Sequence, residues 1–349
     1  MLIGWRHVVG LAIAGVAAAF LVAWSGVFGI GASSGHWKAT DWFLHWAMRA
    51  SVRTAALGTE VPAFSEGMLP MAAGHFERGC AICHGSPAMA RPDSVRHMLP
   101  APPDLKGLIS TWSDAELFQI VRHGVRFTGM PAWPVAGRED EAWAMVAFLR
   151  RYPALDAAGY RALAGFSGNQ SQAMDRIVET CNGCHAAERL GPDSLIPHLA
   201  GQSETYLADA LAAYDKGARP SGIMAVAIQG LSEMDRQALA RHFAGETRGN
   251  VSPDEDEQII ERGKMLAMQG DRARRIPACL SCHDKTGGNP AYPRLSGQPG
   301  GYIANQLRLF VAGSRGGGPF QALMARASEN LEENDIMALS AYFAARPFK

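Results

Sequence analysis

The amino-acid sequence predicts an all-α protein in which an N-terminal transmembrane helix precedes three small helical domains in tandem. Three observations lead to this prediction. Residues 8–32 contain no charged side chain. The motif Cys-x-x-Cys-His occurs three times, at intervals of about one hundred residues, which suits domains of ordinary size. Each motif lies in a segment whose apolar residues recur at helical spacing, and little of the sequence alternates as a strand does.

The uncharged run at 8–32 is long enough to cross a bilayer, because about 20 apolar residues span the hydrocarbon core. Five of the eight tryptophans fall within the first 46 residues, mostly beside the run, as in the aromatic belts of membrane proteins. The alternative is a cleaved signal peptide, whose apolar core is normally about 7–15 residues long. We therefore expect residues 1–35 to be a retained anchor that contacts the lipid bilayer through residues 8–32.

Residues 36–66 are predicted to be a juxtamembrane segment and linker. Within them, residues 41–48 have the pattern of a short amphipathic helix. Such a helix can lie at the membrane surface or pack on a partner subunit, and the sequence leaves both alternatives open.

The three Cys-x-x-Cys-His motifs carry the chemistry of the chain and use all six cysteines. This pattern is the attachment signature of c-type haem. Residues three and four apart share a helix face, so both sulfurs and the imidazole can point the same way. The cysteines would bond to the porphyrin and the histidine would bind the iron. A zinc pair or a redox dithiol could explain one motif, but three motifs with no cysteine left over favour three covalently bound haem c groups. The predicted residues are Cys80, Cys83 and His84; Cys181, Cys184 and His185; and Cys279, Cys282 and His283.

The same order of elements recurs in residues 67–155, 156–248 and 249–349, which we predict to be three domains. Each of these repeats begins with an amphipathic helix leading into its motif and ends with an apolar-periodic helix, at 141–149, 235–243 and 334–343. Ser113 and Ser232 stand where helix N-caps are expected. The second and third repeats are most alike, since the Pro-x-Leu-x-Gly-Gln segment at Pro197 recurs at Pro293, an offset of 96. Short linkers are expected near 154–172 and 249–257.

A carrier haem needs a second axial ligand, and methionine is the usual partner of histidine in c-type carriers. Each repeat has one methionine between its middle and closing helices, and we predict an irregular loop around each: Met130, Met224 and Met324. Met89 or Met98 could replace Met130. His123 and His198 are further candidates, although a surface hydrogen bond is the ordinary role of such histidines.

The composition limits the partners. Lysine plus arginine and aspartate plus glutamate number 33 each, so the formal net charge is zero. Nothing in this balance indicates nucleic acid, whose partners are strongly basic. The use of every cysteine in a motif also excludes a disulfide framework.

On these motifs, residues 67–349 resemble the class I c-type cytochromes of bacteria. Residues 168–349, with the paired Pro-x-Leu-x-Gly-Gln segments and the late methionines, look like a dihaem cytochrome c4. Residues 67–155, with Met-Pro-Ala-Trp at Met130, look like a monohaem cytochrome c domain. Because bacterial c-type haem is attached outside the cytoplasm, the resemblance implies an inner-membrane protein with one N-terminal anchor and its haem domains in the periplasm.

The resemblance implies electron transport and not catalysis. We expect the chain to relay single electrons in a respiratory chain, between a dehydrogenase or quinol-oxidising complex and a terminal oxidase or soluble carrier, as part of a membrane complex. The cytochrome subunit of a membrane-bound periplasmic dehydrogenase for alcohols, aldehydes or gluconate is an alternative. A haem peroxidase or reductase would need an open iron site, which the three methionines disfavour. A structural subunit of a larger complex is a third hypothesis.

Overall fold

A computed structural model describes residues 4–27, 35, 37–165, 173–247, 256–284 and 287–348. Over these residues the regular structure is helical, and strand-like pairing is limited to two isolated bridges, Ser86–Met89 and Asp271–Ile276. The prediction of an all-α fold is confirmed for this part of the chain.

The first helix, α1, comprises Trp5–Trp24 and is fully exposed. Its most apolar stretch of 18 residues has a mean hydropathy of 2.1. At 1.5 Å per residue such a helix is about 30 Å long, which matches the hydrocarbon core of a bilayer. By length and composition it is suited to cross a membrane. Residues 28–32 of the predicted apolar run lie outside the described residues.

The amphipathic helix predicted at 41–48 is present but longer, since α2 comprises Lys38–Ala56. Its second half packs on the first repeat: the Arg49 guanidinium lies 4.3 Å from the ring centre of Trp112, and Arg53 approaches Glu116 at 3.7 Å. The first half keeps an exposed aromatic face that includes Trp42. Helix α2 therefore packs on the first repeat of the same chain, an alternative that was not considered from the sequence.

The first repeat is held together by the packing of its opening helix against its closing helix. The closing helix α8 extends a residue or two beyond each end of the predicted 141–149 and is buried over most of its length. Ser113 caps α7 in a capping box with Glu116, as predicted. The helices are α3 (Leu69–His75), α4 (Ala81–His84), α5 (Asp93–Arg96), α6 (Leu105–Leu108), α7 (Asp114–His123), α8 (Glu139–Arg151) and α9 (Ala157–Ala164).

Helix α9 lies in the region predicted to be a linker, so the linker prediction is wrong for residues 157–164. Asp156 caps the helix, and Tyr160 is fully buried, with its hydroxyl donating to Glu77. Eight residues form too short a periodic stretch to stand out in sequence, and the helix is stabilised by packing on α3. Residues 166–172 of the predicted linker lie outside the described residues.

The second repeat follows the predicted order, with a closing helix capped by Ser232 in a capping box with Asp235. Its helices are α10 (Ala173–His185), α11 (Glu204–Asp215), α12 (Gly222–Ala227) and α13 (Glu233–Gly245).

The third repeat departs from the prediction at its motif, because its opening helix stops at Gly270, well before Cys279. Gly270 has a φ of +69°, and a Cβ there would lie 2.3 Å from the carbonyl oxygen of Ile276. The intervening loop is fixed to the closing helix through Arg274, whose guanidinium bonds the buried Asp335 at 2.5 Å. The helices are α14 (Glu257–Gln269), α15 (Gly300–Val311), α16 (Gln321–Ser328) and α17 (Glu333–Ala345).

The second and third repeats are joined by a reciprocal exchange of hydrogen bonds. Gln202 donates to the carbonyl of Arg294 at 2.7 Å and accepts from its N–H at 2.9 Å. Gln298 makes the same two bonds, each 2.9 Å long, with the main chain of His198. Residues 298 and 294 are 96 positions after 202 and 198. The repeat offset seen in the sequence is therefore a local two-fold relation in space.

Candidate haem-binding sites

The three motifs have different backbones. The second forms the last turn of α10, so the helix-face argument holds there. The first begins in a wider, π-type turn at Phe76–Cys80 and continues into α4, and the third begins in a tight 3₁₀ turn at Cys279–Ser281. All six cysteines are half-buried and none is paired in a disulfide. The same Cys-x-x-Cys-His residues therefore occur on three different backbone conformations.

The motif histidines share one contact, which is the most informative feature of the sites. In each, Nδ1 lies against a proline carbonyl in the loop that follows. A carbonyl can only accept, so Nδ1 carries the proton and Nε2 keeps its lone pair for a metal. The contacts are His84 to Pro103 at 3.2 Å, His185 to Pro197 at 2.8 Å and His283 to Pro293 at 3.0 Å.

The surroundings favour the ligand form of these side chains. Burial lowers the pKa of His84, His185 and His283, so the imidazoles are neutral near pH 7, as iron ligation requires.

Burial also raises the pKa of the first thiol of each motif, to about 12 for Cys80 and to about 11 for Cys181 and Cys279. A reactive redox dithiol needs a lowered pKa, so this environment does not match that alternative. Among the described residues, no three His, Cys, Asp or Glu side chains are placed so that they could share a metal ion.

The three candidate methionines are half-buried, but only Met130 lies in an irregular loop. That loop folds back on the end of α7, where Val125 N–H donates to the carbonyl of Met130 at 3.2 Å and Trp133 N–H to that of Arg122 at 3.0 Å. Gly124, with φ +63°, is required because a Cβ there would lie 2.6 Å from the carbonyl oxygen of Met130.

Met224 and Met324 lie in the short helices α12 and α16, so the predicted loops are wrong for these two. Met324 packs against the same buried cluster as Cys279 of its own motif. The pairing of the three methionines with the motif histidines stays a prediction.

The alternative ligands are distributed unevenly. Met98 touches the Met130 loop, since a Cβ on Gly129 would lie 2.6 Å from its Cε, whereas Met89 is 43% exposed. His123 is exposed at the end of α7. His198 is 1% exposed at the contact between the second and third repeats, so the expectation of a surface role is wrong for this residue.

A pair of arginines, Arg219 buried and Arg315 half-buried, was not anticipated from the sequence. Arg219 donates to the Tyr302 hydroxyl at 3.3 Å, and both Arg219 and Arg315 donate to the Gln306 amide oxygen, at 3.4 and 2.6 Å. Burial together with the Arg219 charge lowers the pKa of Arg315. Among the described residues, neither guanidinium has an ion pair with a carboxylate.

Two neighbouring guanidinium groups, one buried and one half-buried, without a carboxylate partner are complementary to a bound anion, and haem carries two propionates that would supply the missing charge. The sequence did contain an indication that the two arginines are related, since they are 96 positions apart and so occupy equivalent positions in the second and third repeats. The residues of the second and third repeats therefore fit the group that the motifs imply.

The first and second motifs lie close together. Arg78, just before the first motif, donates to the carbonyl of Thr180 at 2.9 Å. A Cβ on Gly74 would lie 2.8 Å from the sulfur of Cys184, so a side chain at position 74 is excluded. The opening helix of the first repeat is thus packed directly on the motif of the second.

Comparison with known proteins finds similarities that each cover part of the chain. A family model described as cytochrome c oxidase, cbb3-type, subunit III matches residues 69–149. The thiosulfate dehydrogenase electron acceptor of Thiomonas intermedia (strain K12) is 33% identical over 172 residues, which are 48% of this chain and 79% of that protein. Cytochrome c4 of Azotobacter vinelandii is 32% identical over 198 residues, which are 53% of this chain and 92% of that protein. A solved cytochrome c4 structure from Acidithiobacillus ferrooxidans is 32% identical, with a TM-score of 0.40 over 45% of this chain and 90% of its own.

Proposed function

The chain belongs to the c-type cytochromes, and from that premise we propose that it is a three-haem electron relay anchored to a bacterial inner membrane, with three cytochrome c domains in the periplasm. The observation that carries the proposal is the triple occurrence of a motif histidine whose Nδ1 is held by a proline carbonyl. Such a contact fixes the ring and leaves Nε2 for iron. The proposed domains are residues 67–155, 156–248 and 249–349, preceded by the anchor at 1–35 and the segment at 36–66.

Each domain would hold haem c through two cysteines and a histidine, with Met130, Met224 and Met324 as the second axial ligands. When bound, haem supplies a one-electron iron couple. The buried apolar residues of each repeat would surround the haem, and two protein ligands held by the fold would limit rearrangement between oxidation states. If these methionines ligate the irons, a substrate would have no open coordination position, so the proposal is electron transfer and not a haem peroxidase or reductase.

The proposed partners are a donor and an acceptor in a respiratory chain. A relative named as a thiosulfate dehydrogenase electron acceptor supports a periplasmic dehydrogenase as the donor, and thiosulfate dehydrogenase is the first enzyme to test. A quinol-oxidising complex is the alternative donor, and a terminal oxidase or a soluble carrier the acceptor. A role as the cytochrome subunit of an alcohol, aldehyde or gluconate dehydrogenase is the second candidate. In that case the chain should remain bound to its donor during purification.

Membrane attachment through residues 8–32 is supported by the length and hydropathy of α1 and by the exposed aromatic face at the start of α2. Trp42 and Trp46 of that face stack with ring centres 6.4 Å apart, and rings of this kind favour the headgroup region. The protein should stay in the membrane fraction through washes with high salt and with carbonate, and be released by detergent. Release by salt alone would contradict a retained anchor.

Ligand assignment is tested on the purified protein. A pyridine haemochrome assay should give three haem equivalents per chain, and fewer would refute the three-haem proposal. Substitution of Met130, Met224 or Met324 by alanine, one at a time, should each remove about one third of the sulfur-to-iron charge-transfer band, since each supplies one of three thioether ligands. Met89→Ala is the matched control and should leave the band intact. An unchanged band in any of the three variants would exclude that methionine as a ligand.

A further inference from the structure

A buried carboxylate connects the first repeat to the ligand segment of the second. Glu141, near the start of α8, is 1% exposed. Its Oε1 accepts from the Ser221 hydroxyl at 2.5 Å, and its Oε2 accepts from the Gly222 N–H at 2.7 Å and from Trp133 Nε1 at 3.1 Å. Arg138 forms an ion pair with Oε1 at 2.9 Å. Every neighbour donates, so only a group with two acceptor oxygens satisfies all four.

These bonds determine the position of the helix that carries Met224. The Ser221 hydroxyl donates its hydrogen bond to Glu141, and its oxygen accepts from the Met224 N–H at 3.1 Å and so caps α12. Arg138 adds a bond of 2.6 Å to the carbonyl of Pro220. Trp133 closes the other side, because a Cβ on Gly222 would lie 2.6 Å from its Nε1. The N-terminus of α12 is thus attached to the first repeat by three successive residues.

We propose that Glu141 is a positioning residue that holds Met224 of the second repeat in place for its iron. This inference rests on the proposed function, in which Met224 is an axial ligand. It means that the first repeat controls ligation in the second, across the boundary between them. A Glu-to-Gln change keeps the shape of the side chain but replaces one acceptor oxygen with a donor, which faces other donors. The end of α12 must then move away from α8 and carry Met224 with it.

The test compares Glu141→Gln with Asp140→Asn in the full-length holoprotein. Asp140 is the matched control because it also bonds Arg138, at 2.8 Å, but its other side-chain partner is Asn305 of the third repeat, at 3.1 Å, and not the segment that carries Met224. Two quantities are measured: the intensity of the sulfur-to-iron charge-transfer band and the three midpoint potentials from a redox titration. The potential belonging to the second haem is identified by its shift in Met224→His.

Glu141→Gln should lose up to about one third of the band and lower only the potential that Met224→His lowers, while Asp140→Asn changes neither. Ser221→Ala, which removes the same link from within the second repeat, should reproduce the effect and provides the test if Glu141→Gln does not fold. A reduced melting temperature with all three potentials unchanged would show a purely structural role and overturn the inference. Met224→Ala separates the two proposals. An unchanged band in Met224→Ala refutes the assignment of Met224 as an axial ligand. A band that is reduced in Met224→Ala but intact in Glu141→Gln refutes only the positioning role of Glu141.

Discussion

The reciprocal glutamines between the second and third repeats allow a prediction of unequal effects from equivalent substitutions. Gln298 and Gln202 each bond both main-chain polar groups of one residue in the opposite repeat. Replacing either with alanine deletes two hydrogen bonds and leaves one N–H and one carbonyl to find other partners. The two variants therefore remove the same chemistry from two related positions.

The costs differ because the main-chain groups left behind have different access to water. His198, the partner of Gln298, is 1% exposed, whereas Arg294, the partner of Gln202, is exposed. An unsatisfied buried polar group costs about 1–3 kcal/mol, while one that water can reach loses only the net value of a hydrogen bond, about 1 kcal/mol. We therefore expect Gln298→Ala to lower the free energy of unfolding by about 3 kcal/mol and Gln202→Ala by about 1–2 kcal/mol.

Both variants are measured by urea unfolding of the haem-loaded protein, followed by far-UV circular dichroism, with the slope checked for constancy so that midpoints compare stabilities. Equal costs for the two single variants, or a larger cost for Gln202→Ala, would refute the argument from burial.

Two further predictions concern buried charges and hydroxyls. Burial alone would raise the pKa of Asp335, but bonds from Arg274 and Arg262 outweigh burial and hold the pKa below its usual value. The ionised carboxylate therefore stabilises the folded protein at pH values above the pKa that Asp335 has in the unfolded chain. This stabilisation is lost as the pH falls through the lower pKa of the folded protein. Asp335→Asn should lower the free energy of unfolding at pH 7 by about 3 kcal/mol and flatten the acid limb of a stability-against-pH curve, and an unchanged limb would exclude this carboxylate as its source. Tyr160→Phe should cost about 1–2 kcal/mol in thermal unfolding, because it leaves Glu77 without its hydroxyl donor; a cost below the error of the measurement would mean that water replaces the bond.

Periodicity and motif spacing predicted the features that depend on local chemistry. The closing helices were predicted from apolar residues at helical spacing, and they lie within α8, α13 and α17. Ser113 and Ser232 cap the expected helices, because a capping box depends only on residues three apart.

The features that sequence reasoning missed depend on contacts between distant residues. The prolines that hold the three histidines lie 19, 12 and 10 residues beyond them, so no fixed spacing indicates the contact. Helix α14 stops early because Gly270 and Arg274 fold the following loop onto α17, and the resulting ion pair joins positions 61 residues apart.

The contact between the second and third repeats could be predicted from the offset of 96, whereas the contact between the first and second repeats could not. When two similar units meet about a two-fold axis, residue i of one touches residue j of the other and the reverse also holds, as in isologous dimers. Gln202 with Arg294 and Gln298 with His198 follow this rule. If two-fold pairing is assumed, one of these contacts and the offset of 96 are enough to predict the other. Glu141 meets Ser221 with no reciprocal pair, because unlike surfaces are in contact. A repeat search cannot find such a contact, and a substitution in the first repeat is therefore the experiment that reveals whether the three sites act as one unit.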